Sequence, residues 1–272
     1  MLLVTALLSL AAALAVDWLG SRHGLLPPGF RPEAPFGPWR RSVAAALLAL
    51  LLWVGVFGPL VEPGEPAADL GQRPAAAVFA LHGLIAAFLL LWWALGYLGL
   101  GRAPSEEADP LRLRCSRPAR EVGVGLAAGA AGWLGVLVAL LAIGGLATLL
   151  GERSLLPTEP PPVVPWIAGL PVGLRLAVSL SAGLFEELFF RAFLQPRLGV
   201  VLSSAAFVLA HAAYEQPMML IGVSLLSLLF AGLLAWRGAV WAAVVAHTLF
   251  DAVQLLVVVP LALELLEAGA GG

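Results

Sequence analysis

Three short stretches set ionisable side chains inside apolar runs: GLFEELFFRAFLQ at 183–195, AAFVLAHAAY at 205–214 and VVAHTLFDAV at 244–253. They supply Glu186, Glu187, Arg191, Phe207, His211, His247 and Asp251. The pairs Glu187–Arg191, Phe207–His211 and His247–Asp251 are each four positions apart, so each pair shares one helix face. A carboxylate with a nearby histidine can polarise a water, and a second histidine with a polar neighbour can stabilise an oxyanion. The chemistry this set suits is hydrolysis of a peptide bond by an activated water. Other chemistries lack their residues. Neither Ser203 nor Ser224 falls in a nucleophile motif, there is no HExxH, and no glycine-rich phosphate loop occurs.

These charges are costly where they stand. A charged side chain at the centre of a membrane helix costs about 2.5–3.5 kcal/mol on insertion scales, so Glu186, Glu187, Arg191 and Asp251 left unpaired would cost about 10–14 kcal/mol together. The Glu187–Arg191 pair also has a purely structural reading, as a helical ion pair. His82 has no partner motif nearby and reads as a helix–helix hydrogen-bonding residue. Asp17 and Arg175 lie near span ends, where snorkelling accounts for them.

The elements that must position these groups are membrane helices. The chain has 272 residues, 61% hydrophobic and 12% charged, with several apolar stretches of span length. This predicts an all-α, polytopic bundle of about eight transmembrane helices, at 2–19, 42–61, 75–100, 122–150, 172–194, 200–213, 217–236 and 239–258. The sixth is short. Proline- and charge-rich connectors separate the first five. Organisation follows: 1–165 holds N-terminal helices without motifs, 166–260 the motif-bearing helices, and 261–272 a short tail. A net charge of −2 argues against a nucleic-acid partner. The single cysteine, Cys115, excludes an intrachain disulfide. All fifteen basic residues are arginine, which with abundant Ala, Gly, Leu and Pro fits a GC-rich bacterial genome.

Arginine placement orients the bundle. Twelve of the fifteen (Arg22, Arg31, Arg40, Arg41, Arg102, Arg112, Arg114, Arg117, Arg120, Arg191, Arg197 and Arg237) fall on one side, against Arg73, Arg153 and Arg175 on the other. The positive-inside rule then predicts a multi-pass protein of the cytoplasmic membrane with both termini outside. The first span reads as an uncleaved anchor, because no positive n-region precedes Ala13-Leu14-Ala15. Counted from the inferred cytoplasmic ends, Glu186, His211 and His247 all lie on the order of 12–17 Å deep. Three polar clusters at one depth can converge on one cavity.

The stretches EELFFR, FVLAH and HTLFD resemble the EExxxR, FxxxH and HxxxN/D motifs of the CPBP family of intramembrane proteases. That family includes the type II CAAX prenyl endopeptidases and bacteriocin-processing enzymes, and the resemblance covers roughly residues 170–258. It implies an intramembrane endopeptidase with Glu186 as general base, His211 holding the water with it, and His247 with Asp251 forming the oxyanion site. Glu187, Arg191 and Phe207 would support that site. The prenyl endopeptidases carry Asn where this chain has Asp251, so Asp251 either donates as a protonated acid or orients His247. The resemblance admits two forms of the chemistry. One is a glutamate mechanism with no required metal. The other is a zinc site held by Glu186, His211 and His247 with an open water position. Expected partners are the lipid bilayer and a membrane-associated peptide: a CAAX-like end, a leader peptide, or a C-terminal sorting signal as in the myxosortase branch. The alternative function is a non-proteolytic immunity or scaffold protein that keeps the polar cluster for packing.

Overall fold

A computed structural model describes residues 1–25, 37–61, 73–96, 109, 111–152, 155–156 and 159–270. Arg31, Arg102 and Arg153 of the charge asymmetry, and residues 97–100 of the expected third span, lie outside the described residues. Regular structure among the described residues is entirely helical. In chain order, α1 is Leu2–Arg22, α2 Gly37–Leu52, α3 Ala80–Ala94, α4 Pro118–Leu150 and α5 the short Val163–Ala168. Helix α6, Val172–Glu186, runs into a π-helical segment, Glu187–Leu194, and then into α7, Gln195–Ala210. Helix α8 is Pro217–Arg237 and α9 is Trp241–Val253; a second π segment, Gln254–Val258, leads into α10, Val259–Ala270.

Seven of these helical stretches are long and apolar enough to cross a membrane, against the eight expected. The fifth, Val172–Tyr214, has 43 residues and contains two expected spans. Drawn straight it would measure about 65 Å, twice the ~30 Å hydrocarbon core. It is not straight. Gly199 adopts φ 77°, ψ 174°, a conformation only glycine reaches without strain, and breaks the helix there. Phe190 and Phe207 are seventeen positions apart, about 25 Å along a straight helix. Their ring centroids are 5.1 Å apart, so the chain doubles back. The two limbs are the expected fifth and sixth spans. The returning limb is too short to cross the core, so it brings His211 to a helix end inside the bundle.

Two other boundaries differ from expectation. Helix α4 starts at Pro118, a first-turn proline whose missing N–H costs nothing there. The last helix continues past the expected stop at 258. Pro260 lies within this continuous stretch and has no N–H to give it, and Arg175 Nη1 donates to the Leu255 carbonyl five positions back (3.0 Å).

Close packing of α9 is set by small residues. A Cβ at Gly129 on α4 would lie 2.8 Å from the Ala246 carbonyl, and one at Gly125 the same distance from the Ala242 carbonyl. On the other flank, a Cβ at Gly183 of α6 would lie 2.9 Å from the Val244 carbonyl. Helix α9 is therefore held between α4 and α6 at backbone contact, the arrangement that substitutes for a hydrophobic driving force in lipid. Outside, α4 turns Leu134, Val138 and Leu141 to its exposed face, as a lipid-facing helix does. Phe88 and Trp92 of α3 pack edge-on against Phe193 of the π segment, with centroids 5.6 and 4.6 Å away. The start of α9 is clamped by the connector before α4: Val240 N–H donates to the Arg112 carbonyl (3.0 Å) and Trp241 Nε1 to that of Leu113 (2.7 Å). Nearby, Arg237 makes a two-nitrogen pair with Glu121.

Candidate active site

The π segment begins at the catalytic candidates. Such insertions alter the helical phase locally and recur at functional sites. Consecutive residues on a helix project about 100° apart, so Glu186 and Glu187 face different neighbours.

Glu187 faces α9. It is fully buried, and its Oε1 accepts from His247 Nδ1 at 2.9 Å. Its Oε2 forms an ion pair with Arg191 Nε at 3.2 Å without hydrogen-bond alignment. Arg191, also fully buried, donates from Nη2 to Ser227 Oγ on α8 (3.2 Å), and Ser227 in turn donates to the Ser204 carbonyl on α7 (3.3 Å). The guanidinium carbon lies 4.6 Å from the centre of the Phe207 ring, a cation–π contact in a desolvated setting. Phe207 thus seals the charged pair on one side. Its ring also packs 4.7 Å from His211 and 5.9 Å from His247.

The His247 ring has no rotational freedom. Phe230 of α8 stacks on it at 4.8 Å, Glu187 holds Nδ1, and Asp251 Oδ2 lies 3.5 Å from Nε2. At that distance the Asp251 contact is an electrostatic restraint more than a full hydrogen bond.

His211 ends α7. Its Nδ1–H donates to the Phe207 carbonyl at 2.8 Å, which leaves Nε2 as the free, basic nitrogen of the neutral ring. Tyr214 follows in the next turn, with its ring 5.6 Å from that of His211 and its phenol within electrostatic range of Glu186 and Asp251.

Glu186, about a quarter-turn round the helix from Glu187, faces α3. Its Oε1 lies 3.3 Å from His82 Nε2, and it is within electrostatic range of His211 and His247. Its Oε2 is buried with no hydrogen-bond partner. His82, expected as a helix–helix hydrogen-bonding residue, links α3 to Ser181 and Glu186 of α6, and the second of these partners belongs to the site. No local signal could have found this pairing, because His82 lies more than a hundred positions upstream on a helix with no motif. Ser227, on α8 between the second and third motifs, and Tyr214, three positions after His211, were also missed.

All seven motif residues therefore join one connected cluster across α6, the π segment, α7 and α9. Among the described residues, however, no three His, Cys, Asp or Glu side chains are arranged as a metal cluster. His247 is the misfit in the expected zinc set, since both of its nitrogens face carboxylate oxygens. Asp17, expected to snorkel, is instead in a 2.6 Å ion pair with Arg41 that ties α1 to α2.

Residues 168–253, just under a third of the chain, match the family model of the type II CAAX prenyl endopeptidase Rce1-like proteins, which bears out the resemblance carried by the three motifs. Neither a curated protein nor a solved structure matches the chain.

Proposed function

We propose, with the match of residues 168–253 to the type II CAAX prenyl endopeptidase Rce1-like family as the premise, that this multi-pass membrane protein is an intramembrane endopeptidase. The observation that carries the reading is the buried Glu186 Oε2, without a hydrogen-bond partner on a carboxylate within electrostatic range of His211 and of His247 on α9.

In this reading a water sits between Glu186 Oε2 and His211 Nε2. Glu186 takes one proton from it as the oxygen attacks the scissile carbonyl carbon. A C–O bond forms, and the carbonyl oxygen becomes an oxyanion. His247 donates to that oxyanion from Nε2–H, its other proton being held by Glu187 and the ring by Phe230. Asp251, weakly engaged at 3.5 Å, orients Nε2 until the oxyanion takes its place. Collapse breaks the C–N bond, and Glu186 returns its proton to the leaving amine. The products are a carboxylic acid and an amine. Glu187 and Arg191 enter no proton transfer; they hold His247. No metal is required in this scheme.

The substrate is a membrane-associated peptide: a CAAX-like end, a leader peptide or a C-terminal sorting signal. The site belongs to the cytoplasmic membrane, with both termini outside. The test is cleavage of a farnesylated CAAX-type peptide and of endogenous membrane peptides by the purified chain in lipid. Loss of cleavage in Glu186→Gln, with folding intact, is the expected result. Full processing by a well-folded Glu186→Gln would replace the protease reading with the scaffold one.

A further inference from the structure

His82 is the one histidine near the site that none of the three motifs contains, and it is buried. Its two nitrogens bridge α3 to α6: Nδ1 lies 2.8 Å from Ser181 Oγ and Nε2 lies 3.3 Å from Glu186 Oε1. Ser181 Oγ also lies 3.0 Å from the Val178 carbonyl of its own helix. An ionised carboxylate only accepts, so the hydrogen of the Nε2 contact belongs to His82. A histidine serving only to tie α3 to α6 would be satisfied by Ser181 alone.

We propose that His82 is a positioning residue for Glu186: seated against Ser181, it directs its Nε2–H at Glu186 Oε1 and so leaves Oε2 as the oxygen available to a substrate water. The proposal deepens the protease reading above and rests on it for its kinetic consequence. Three helices then converge on one carboxylate. His82 comes from α3, His211 and Tyr214 from the end of α7, and His247 from α9; these are the titratable groups around Glu186. His82 does not enter the proton balance of hydrolysis. The water proton moves to Oε2 and on to the leaving amine, while the His82 proton stays on Nε2 throughout. A rotated carboxylate, with Oε1 free to swing, would lose its aim at the water.

The chain has only four histidines, which makes the pairing directly observable. Full-length protein labelled with ¹⁵N-histidine in lipid discs gives spectra in which the His82 signals are those missing from His82→Gln. The expected spectrum has His82 Nε2 protonated, with an Nε2 resonance that shifts in Glu186→Gln, where the charged acceptor is gone, and stays in place in Glu187→Gln. Ser181→Ala should shift the Nδ1 resonance and leave the Nε2–H in place. The kinetic arm uses a farnesylated CAAX-type peptide. His82→Ala should lower kcat about 10–100-fold with KM within about twofold, the scale of a disturbed general base. His82→Gln, whose amide can still donate to Oε1, should recover part of the loss. A bare Nε2 in the wild type, or His82 signals indifferent to Glu186→Gln, would overturn the proposal, as would an unchanged kcat in a well-folded His82→Ala. If the wild type leaves the peptide intact, the protease reading fails on that substrate, and the spectra still decide the pairing.

Discussion

Glu186 and Glu187 are adjacent in the chain, yet each pairs with a different histidine, on helices that flank α6 from different sides. Glu186 meets His82 of α3 at 3.3 Å and Glu187 meets His247 of α9 at 2.9 Å. The helical projection separates two similar carboxylates into two environments: neither Oε2 has a hydrogen-bond partner, but that of Glu187 is ion-paired with Arg191 at 3.2 Å. A division of labour follows from that difference.

Glu186→Gln removes the basic oxygen while keeping the side chain's volume and its ability to face His82. Hydrolysis should fall at least about 100-fold, the scale of a lost general base. Membrane accumulation and thermal unfolding should match the wild type. Quantifying both on the same preparation separates chemistry from folding.

Arg191→Ala acts through folding. It takes the arginine away from a fully buried carboxylate, leaving Glu187 only its His247 contact, and removes the cation over Phe207. Breaking a buried pair by removing one partner costs about 3–5 kcal/mol. The folded yield should drop sharply, and the surviving fraction should show a lowered Tm. Normal yield and Tm would show that the pair is not holding the site together.

Gly183→Ala probes the α6–α9 contact. Its Cβ would press on the Val244 carbonyl and on Thr248, one residue from His247. The helices must separate, so activity should fall together with Tm. Gly123→Ala is the control, because a Cβ there meets nothing within 4 Å and the residue lies on an α4 face away from the site. Equal effects from the two would refute the close-contact argument.

Metal dependence has a direct readout. With His247 occupied on both nitrogens, purified protein should carry substoichiometric zinc by elemental analysis, and 1,10-phenanthroline should leave cleavage intact. A stoichiometric metal whose removal abolishes cleavage, restored by zinc, would displace the glutamate scheme.

Orientation rests on arginine asymmetry. Reporter fusions after Ser116, in the connector before α4, and after Ala270 should report opposite sides of the membrane. Both on one side would invert the predicted topology of one half of the bundle.

Hydropathy and motif spacing are local properties, and what depends on them was legible in the sequence. The helices, their approximate limits and the residues Glu186, Glu187, Arg191, Phe207, His211, His247 and Asp251 could be read off because apolar runs and four-residue spacings need no knowledge of a partner. The doubling back at Gly199 was anticipated only as a gap between two apolar runs; the left-handed φ of 77° is what turns that gap into a re-entrant limb. Everything set by which helix lies beside which required the tertiary structure. The approach of α4 and α6 to α9 depends on Gly125, Gly129 and Gly183 meeting backbone atoms far along the chain. That Glu187 rather than Glu186 holds His247 depends on helical phase at the π segment. That His82 serves Glu186 depends on α3 packing against α6, a contact between residues 104 positions apart that no local pattern encodes.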